Sequence, residues 1–324
     1  MQPSSLTHNK TFNSAISVVV PVFNEKDSLS ELVARLDKVL PKLGSDYEIV
    51  LVNDGSKDGS LEVMQRLFAE FKKVVVVDLR RNFGKSAALS AGFAVSRGEV
   101  IVTIDADLQD QPEEIPRLLD KLNQGYDLVS GWKKHRQDSL AKKLWSRIFN
   151  MTLRLFTGIK IHDVNCGLKA YRREVIELLP LYGDLHRFLP VFAHSYGFKV
   201  GEVEVKHEPR RFGKSKFGSS RIWRGLLDFI TILLLTKFTY RPGHFFGSLG
   251  FLSFGSGFLI AAYLTVLWFL GERPIGNRPL LFLAILLMVV GIQLISLGLL
   301  GELIVSQRRD SQDKIIRDVY KHEH

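Results

Sequence analysis

Two apolar runs near the carboxyl end constrain this chain more than any other feature. Phe245 to Leu270 is 26 residues and Pro279 to Gly301 a further 23, and neither contains a Lys, Arg, Asp or Glu. A helix of about 20 apolar residues crosses the roughly 30 Å hydrocarbon core of a bilayer. The competing reading is a buried helical hairpin in a large soluble domain, where helices average about 12 residues. Each run is therefore expected to span a membrane once. The link Gly271–Arg278 is short, with Lys237 and Arg241 on one outer flank and Arg308 and Arg309 on the other. The excess of cations on cytoplasmic flanks then puts both termini in the cytoplasm of a multi-pass inner (plasma) membrane protein. The first residues, MQPSSLTHNKTFNS, are polar throughout and do not resemble a signal peptide.

The 324 residues carry a formal net charge of +10, unevenly distributed. Residues 1–130 hold 15 basic and 19 acidic side chains, residues 131–244 hold 22 and 9, and the rest 7 and 6. A strongly basic middle between an acidic front and a neutral, apolar end points to an anionic partner. Its position before the membrane runs favours phosphate groups at a membrane over nucleic acid. A single cysteine, Cys166, excludes an intramolecular disulfide framework and a cysteine-based zinc cluster; it is expected to be a small core residue and not a nucleophile. His162, His186, His194 and His207 show no metal-binding spacing and are expected to be structural or surface residues.

The front of the chain alternates two periodicities. Ile16–Val20, Glu48–Val52, Val74–Asp78 and Val100–Ile104 are short β-branched runs of the kind found in buried parallel strands. Leu29–Leu43, Ser60–Phe71 and Ser86–Arg97 carry helical spacing, with Asp58 or Ser60 and Ser86 available as caps. The pattern predicts an α/β fold with a mainly parallel sheet. Further on, Ser139–Phe156 places Leu140, Leu144, Ile148, Met151 and Leu155 on one helical face and Lys142, Lys143, Arg147 and Arg154 off it. That segment reads equally as a core helix with a solvated basic side or as an interface helix. Arg221–Phe238, apolar on most sides with a narrow charged stripe, suits a membrane interface.

Ligands of open α/β sheets bind beyond the carboxyl ends of the strands, and the four strands leave into polar segments. These are Pro21-Val22-Phe23-Asn24-Glu25, Asn53-Asp54-Gly55-Ser56-Lys57-Asp58-Gly59, Arg80-Arg81-Asn82-Phe83-Gly84-Lys85 and Asp105-Ala106-Asp107-Leu108-Gln109-Asp110. No glycine-rich phosphate loop of either common type is present, so a bound phosphate calls for neutralisation by a metal ion. Asp105 and Asp107 are two residues apart and share a face of an extended segment. Their oxygens suit a hard divalent cation such as Mg²⁺ or Mn²⁺, with diphosphate oxygens and water completing the shell.

The segments VVVPVFNE, LVNDGSKDG, RNFGKSAAL and DADLQDQPE resemble those of the GT-A fold family 2 glycosyltransferases. With the run Asp163–Val175, the segment Arg210–Phe217 and the terminal apolar pair, residues 14–310 resemble bacterial polyprenyl-phosphate glycosyltransferases of the bactoprenol glucosyltransferase group, and more distantly dolichyl-phosphate mannose synthases. The resemblance implies a nucleotide-sugar donor, a divalent metal and a polyprenyl phosphate acceptor. It implies that Pro21, Phe23 and Glu25 frame the nucleotide, that Asp54 hydrogen-bonds the base, and that Lys85 lies near the nucleotide or diphosphate. Asp105 and Asp107 would hold the metal and the ribose-diphosphate, with Gln109 as a further ligand. Lys133 stands where the family often has Arg, which forms a two-pronged phosphate contact that Lys does not. Arg136, Arg147 and Arg210 match basic positions near the acceptor or donor phosphates, and Lys216 matches the Ser-Lys pair of the loop that follows the domain.

The expected architecture is thus a polar tail (1–14), a cytosolic GT-A domain (15–220), a juxtamembrane amphipathic helix (221–244), a two-helix transmembrane hairpin (245–304) and a cytosolic tail (305–324). The expected reaction is inverting, metal-dependent transfer of one sugar to undecaprenyl phosphate, with UDP-glucose preferred as donor from the resemblance alone. A phosphate monoester is already mostly dianionic near neutral pH, so a strong general base is not required; Asp163 is the candidate if one is used, its alternative role being a partner for Arg172 or Lys169. Glycines 247, 250, 255 and 257 permit close helix contacts, and the family suggests a homo-oligomer. Two other readings compete. A processive polysaccharide synthase normally carries a QxxRW-type motif and more spans, neither of which occurs here. A non-catalytic nucleotide-sugar-binding scaffold does not account for an intact DADLQD.

Overall fold

The computed structural model describes residues 15–44, 46–134, 150–179, 185–208, 231, 242–272, 274, 276 and 278–307. The chain forms two units, Met1–Asp228 and Phe229–His324. The first is built on a seven-stranded sheet of β1 (Ile16–Val22), β2 (Tyr47–Asn53), β3 (Val74–Asp78), β4 (Val100–Thr103), β5 (Leu128–Trp132), β6 (Lys169–Arg172) and β7 (Val200–Glu204). Their spatial order is β3-β2-β1-β4-β6-β5-β7. The first four strands are mutually parallel, whereas β6 runs antiparallel to both neighbours, β4 and β5. The mainly parallel α/β sheet expected from the sequence is present, and β6 is the element that makes it mixed.

Strand alternation fixes which side chains face which layer. Val18, Val20, Ile49, Leu51, Val100 and Val102 join one core, while Val19, Val50, Val52 and Ile101 join another on the opposite face. Helix α1 (Lys26–Val39) lays Leu29, Leu32, Val33 and Leu36 on the first core, an i, i+3, i+4, i+7 stripe. Helices α2 (Ser60–Glu70) and α4 (Ile115–Leu122) pack into the same core, and α3 (Lys85–Val95) covers the other with Ala88, Leu89 and Phe93. Both faces of β1 are thereby buried, which is why its sequence is nearly continuous in β-branched residues.

Neither cap expected for α2 holds the N-cap position, which is Gly59 without a side-chain bond, although Asp58 Oδ1, one residue earlier, accepts the Ser60 N–H at 3.0 Å. Ser86 is a correction. It lies one residue inside α3, and its hydroxyl pairs with His186 Nδ1 at 2.8 Å in place of capping the helix. Of the Ser139–Phe156 amphipathic stretch, the described helical part 150–157 exposes Met151, Leu155 and Phe156 and buries Leu153.

In the second unit, helices Pro242–Phe269 and Pro279–Gln307 are long and apolar enough to cross a membrane, and both leave most of their surface exposed. They begin close to the expected spans. They pack on one another where side chains vanish: a Cβ at Gly250 would lie 2.7 Å from Gly291 O. The Ser253 hydroxyl donates to Leu287 O at 2.8 Å, and Glu302 accepts the Gly243 N–H at 3.0 Å, satisfying one of the first helix's unpaired amides. The juxtamembrane stretch 221–244 and the tail 305–324 lie almost wholly outside the described residues.

Candidate active site

Parallel pairing of β1 with β2 and β4 brings three strand exits side by side. Because β6 is antiparallel, its first residue, Lys169, sits opposite Thr103 at the end of β4. The turn 163–167 that precedes β6 is therefore delivered to the same edge. A strict alternation follows β4: Asp105, Asp107 and Gln109 are half-buried, while Ala106, Leu108 and Asp110 are buried. The segment is a turn at 106–107 where an extended one was expected, yet the two carboxylates and the amide are the partly exposed side chains of this exit. Leu108, fully buried, holds φ at 58°, a backbone region costing a branched residue about 1–3 kcal/mol and found mainly where function demands it.

Asp105 is gripped from two sides. Lys85, the first residue of α3, forms an ion pair with its Oδ1. From the other side the backbone of Gly167 lies so close that a Cβ there would stand 2.6 Å from Asp105 Oδ2, so any larger residue would displace that carboxylate. The 163–167 turn is itself held at several points. Thr103 Oγ1 donates to Gly167 O at 2.9 Å, Asp163 Oδ1 accepts the Asn165 N–H at 3.1 Å, and the Lys169 ammonium donates to Cys166 O. A cavity of about 20 Å³, room for one water, lies here, bordered by Lys85, Thr103, Asn165, Gly167, Lys169 and His186.

Burial sets the ionisation of these groups. It pulls the Lys169 ammonium down to about 8, the nearby Lys85 charge adding to the effect while Cys166, Asp163 and Asp105 oppose it. It pulls the His186 imidazole down to about 2, aided by Lys85 and Arg187. The Cys166 thiol is fully buried and pushed up to about 12, chiefly by desolvation, so it is an inert core group as expected.

The other exits are interlocked. Asn24, at φ 57°, receives the Lys57 N–H on Oδ1 at 2.8 Å, and its own N–H donates to Ser56 Oγ at 3.0 Å. Glu25 N–H donates to Ser60 Oγ at 3.0 Å. Pro21, Phe23 and Glu25 are half-buried at this edge. Asp54 is 3% exposed, and its two oxygens accept the Phe83 and Gly84 N–H groups at 2.7 and 3.0 Å, so it ties the β2 exit to the start of α3.

Lys133 is held by a buried ion pair. Its Nζ lies 2.6 Å from Asp110 Oδ1, with the two side chains 8% and 1% exposed. His207 Nδ1 stands 3.7 Å from the same oxygen. Burial pushes the Asp110 carboxyl up, but Lys133 and His207 outweigh it and hold the group well below the usual carboxylate range. This buried pair braces the loop that carries Asp107. Asp163 is 4% exposed; of its two expected partners, Arg172 turns to Asp127 (4.0 Å) and Tyr126 O (3.3 Å), while the Asp163 charge favours the ammonium of Lys169. Arg136, Arg147, Arg210 and Lys216 lie outside the described residues.

Sequence reasoning missed Gly167, Lys169 and His186. The signal for Gly167 and Lys169 was the short Cys166-Gly167-Leu168-Lys169 run, whose nearness to Asp105 depends on the reversal of β6.

Two carboxylates and an amide form an oxygen-rich donor set. Among the described residues, no group of three or more His, Cys, Asp or Glu side chains is placed to hold a metal alone. Such a set fits a hard divalent cation completed by ligand and water oxygens.

Comparison with known proteins settles the family. The glycosyl transferase family 2 model matches residues 17–179. The chain belongs to glycosyl transferase family 2. A dodecaprenyl-phosphate galacturonate synthase of Rhizobium johnstonii is 36% identical over 99% of this chain and 97% of its own length. An undecaprenyl-phosphate 4-deoxy-4-formamido-L-arabinose transferase of Pseudomonas aeruginosa is 39% identical over 89% and 84%. This family 2 member is thus a glycosyltransferase of the polyprenyl-phosphate kind. Crystal structures of glucosyl-3-phosphoglycerate synthase from Mycobacterium tuberculosis, one with Mn²⁺, UDP and phosphoglyceric acid and one with Mg²⁺ and UDP, share the fold. Each is 20% identical, covering 69% of this chain and 78% or 79% of its own, at TM-scores of 0.54 and 0.53.

Proposed function

We propose that this enzyme transfers one sugar from a UDP-linked donor to polyprenyl phosphate at the cytosolic face of the inner membrane, with inversion at the anomeric carbon. The observation that carries the reading is the outward face of Asp105, Asp107 and Gln109 at the exit of β4, with Lys85 on Asp105. Asp105 and Asp107 would hold Mg²⁺ or Mn²⁺, which supplies positive charge for the departing nucleoside diphosphate. Lys85 adds a second cation at that place. An acceptor phosphate oxygen forms the new bond to the anomeric carbon as the bond to the donor diphosphate breaks, its electron pair leaving with the nucleotide. No proton needs to move, because the acceptor is already mostly dianionic. Rate enhancement then comes from alignment of the two anions and screening of their repulsion. The basic segments around Lys142–Arg147 and Arg210–Lys216 suit the second task by composition.

Glucose as the sugar rests on the bactoprenol glucosyltransferase resemblance. The full-length relatives act on galacturonate and 4-deoxy-4-formamido-L-arabinose, so these stand beside glucose as donor candidates. Purified enzyme is mixed with undecaprenyl phosphate, Mg²⁺ or Mn²⁺, and radiolabelled UDP-glucose, UDP-galacturonate or UDP-4-deoxy-4-formamido-L-arabinose. Label entering the organic phase from one donor, and lost with Asp107→Ala, is the expected result and names the sugar. Nucleotide binding without lipid-linked label from any donor would overturn the acceptor and return the scaffold reading.

A further inference from the structure

Lys169 is an anomaly for a structural residue. Its side chain is 3% exposed. Among the described residues it has no ion-pair partner; its single hydrogen bond runs to a neutral carbonyl, Cys166 O. Asp163 and Asp105 favour its charge without an ion-pair contact; a buried ammonium compensated only in this way is a burden on folding, and an apolar side chain of equal volume serves packing better. What the ammonium does hold is the turn 163–167. That turn opens with Asp163, whose carboxylate caps Asn165, and closes with Gly167, whose backbone abuts the Asp105 carboxylate. Thr103 grips the same turn through Gly167 O from the end of β4, two residues before Asp105.

We propose that Lys169 is a positioning residue for the transfer reaction: through Cys166 O it fixes the turn that sets Gly167 against Asp105, and so fixes the orientation of the first carboxylate of the Asp105–Asp107 pair. The inference rests on the reading of that pair as the donor-diphosphate and metal site. It explains a costly group by function, since residues that strain a fold tend to serve its site. Gly167 and Lys169 act on one carboxylate through one turn, so disturbing either displaces Asp105 alike.

The test compares Lys169→Met, Lys169→Arg and Gly167→Ala in the full-length enzyme with label transfer to undecaprenyl phosphate. Methionine keeps the stem volume and removes the charge. Its melting temperature is expected to equal or exceed that of the parent, while kcat falls about 100-fold, in the range seen when a preorganising contact is lost. The metal concentration for half-maximal rate is expected to rise several-fold. Lys169→Arg restores part of kcat and of the metal dependence, and Gly167→Ala reproduces the methionine variant's metal shift by moving Asp105 from its other side. Lys169→Met with parental kcat and metal dependence would overturn the proposal. So would a loss of activity accompanied by a matching loss of melting temperature, which marks a packing role. If the parent enzyme itself transfers no label, the reading of the site fails first, independently of Lys169.

Discussion

Lys85 and Asp105 form an ion pair across the exits of β3 and β4, between the start of a helix and the first acidic residue beyond a strand. Both side chains are about one-third exposed, 34% and 31%, so the pair contributes little to stability, less than about 1 kcal/mol. On the proposed reading of the site, Lys85 occupies an oxygen that a divalent cation would share. Lys85→Met is expected to leave the melting temperature within a few degrees of the parent. It should also tighten Mn²⁺ binding to the donor-free enzyme and lower the transfer rate about 10- to 100-fold by removing a cation from the leaving group. Titration of Mn²⁺ by electron paramagnetic resonance, beside the label assay, checks both directions.

The Asp110–Lys133 pair makes the opposite prediction, large for stability. Removing one partner leaves the other charged and buried, and Lys133→Met is expected to destabilise the domain by about 3–5 kcal/mol. Replacing both, with Asp110→Leu added, should recover most of that loss. The folded Asp110 carboxyl lies below its ordinary value. Its contribution is therefore complete above the unfolded value of about 3.9 and is lost as pH falls below it toward the folded value. Urea unfolding of the three proteins at pH 7 and pH 3.5 measures the recovery and the acid loss together.

The residues at the candidate site were legible in unequal measure, for physical reasons. Asp105 and Asp107 were readable because they follow a buried strand directly, so the exit that carries them is set by a local property, although the chain there turns and does not stay extended. The four β-branched runs gave four strands for the same reason. Asp54 and Lys133 were not readable in this way. Both are acidic or basic residues at strand ends, where sequence cannot tell a charge aimed at solvent from one turned to neighbouring amides or to a buried partner. Gly167 and Lys169 depend on a non-local fact, the antiparallel insertion of β6 beside β4. Nothing in a four-residue strand, Lys-Ala-Tyr-Arg, declares its direction.

The paired apolar helices offer a prediction in the second unit. A Cβ at Gly250 meets Gly291 O at 2.7 Å and one at Gly257 meets Ala284 O at 2.6 Å, so the helices touch through backbone, as small-residue membrane contacts do. Gly250→Leu should separate them. In detergent, a single-cysteine pair built at Ser253 and Leu287, joined now by a hydrogen bond, is expected to cross-link readily in the parent background (Cys166 replaced by Ala) and at least fivefold less with Gly250→Leu.

His186 gives a pH dependence whose sign is fixed by burial. Its folded value lies at about 2, below the ordinary 6.5, because desolvation disfavours the charged ring. A group depressed on folding contributes stability that is complete above the unfolded pKa and is lost as pH falls. Between about pH 6.5 and the folded value, the unfolded chain binds a proton that the folded chain refuses, a slope of about 1.4 kcal/mol per pH unit for a full proton. The enzyme is expected to melt earlier at pH 5.5 than at pH 7.5, and His186→Gln, which keeps a hydrogen-bonding side chain beside Ser86, should flatten that part of the curve. The catalytic profile should behave differently. If the acceptor phosphate must be dianionic, kcat/KM rises through the second phosphate pKa near 6, and this rise belongs to the substrate. It should persist in His186→Gln, whereas a rise that vanishes with the histidine would make the imidazole a titrating participant in the transfer. Differential scanning fluorimetry and initial rates on the same two proteins from pH 5 to 8 separate the two effects.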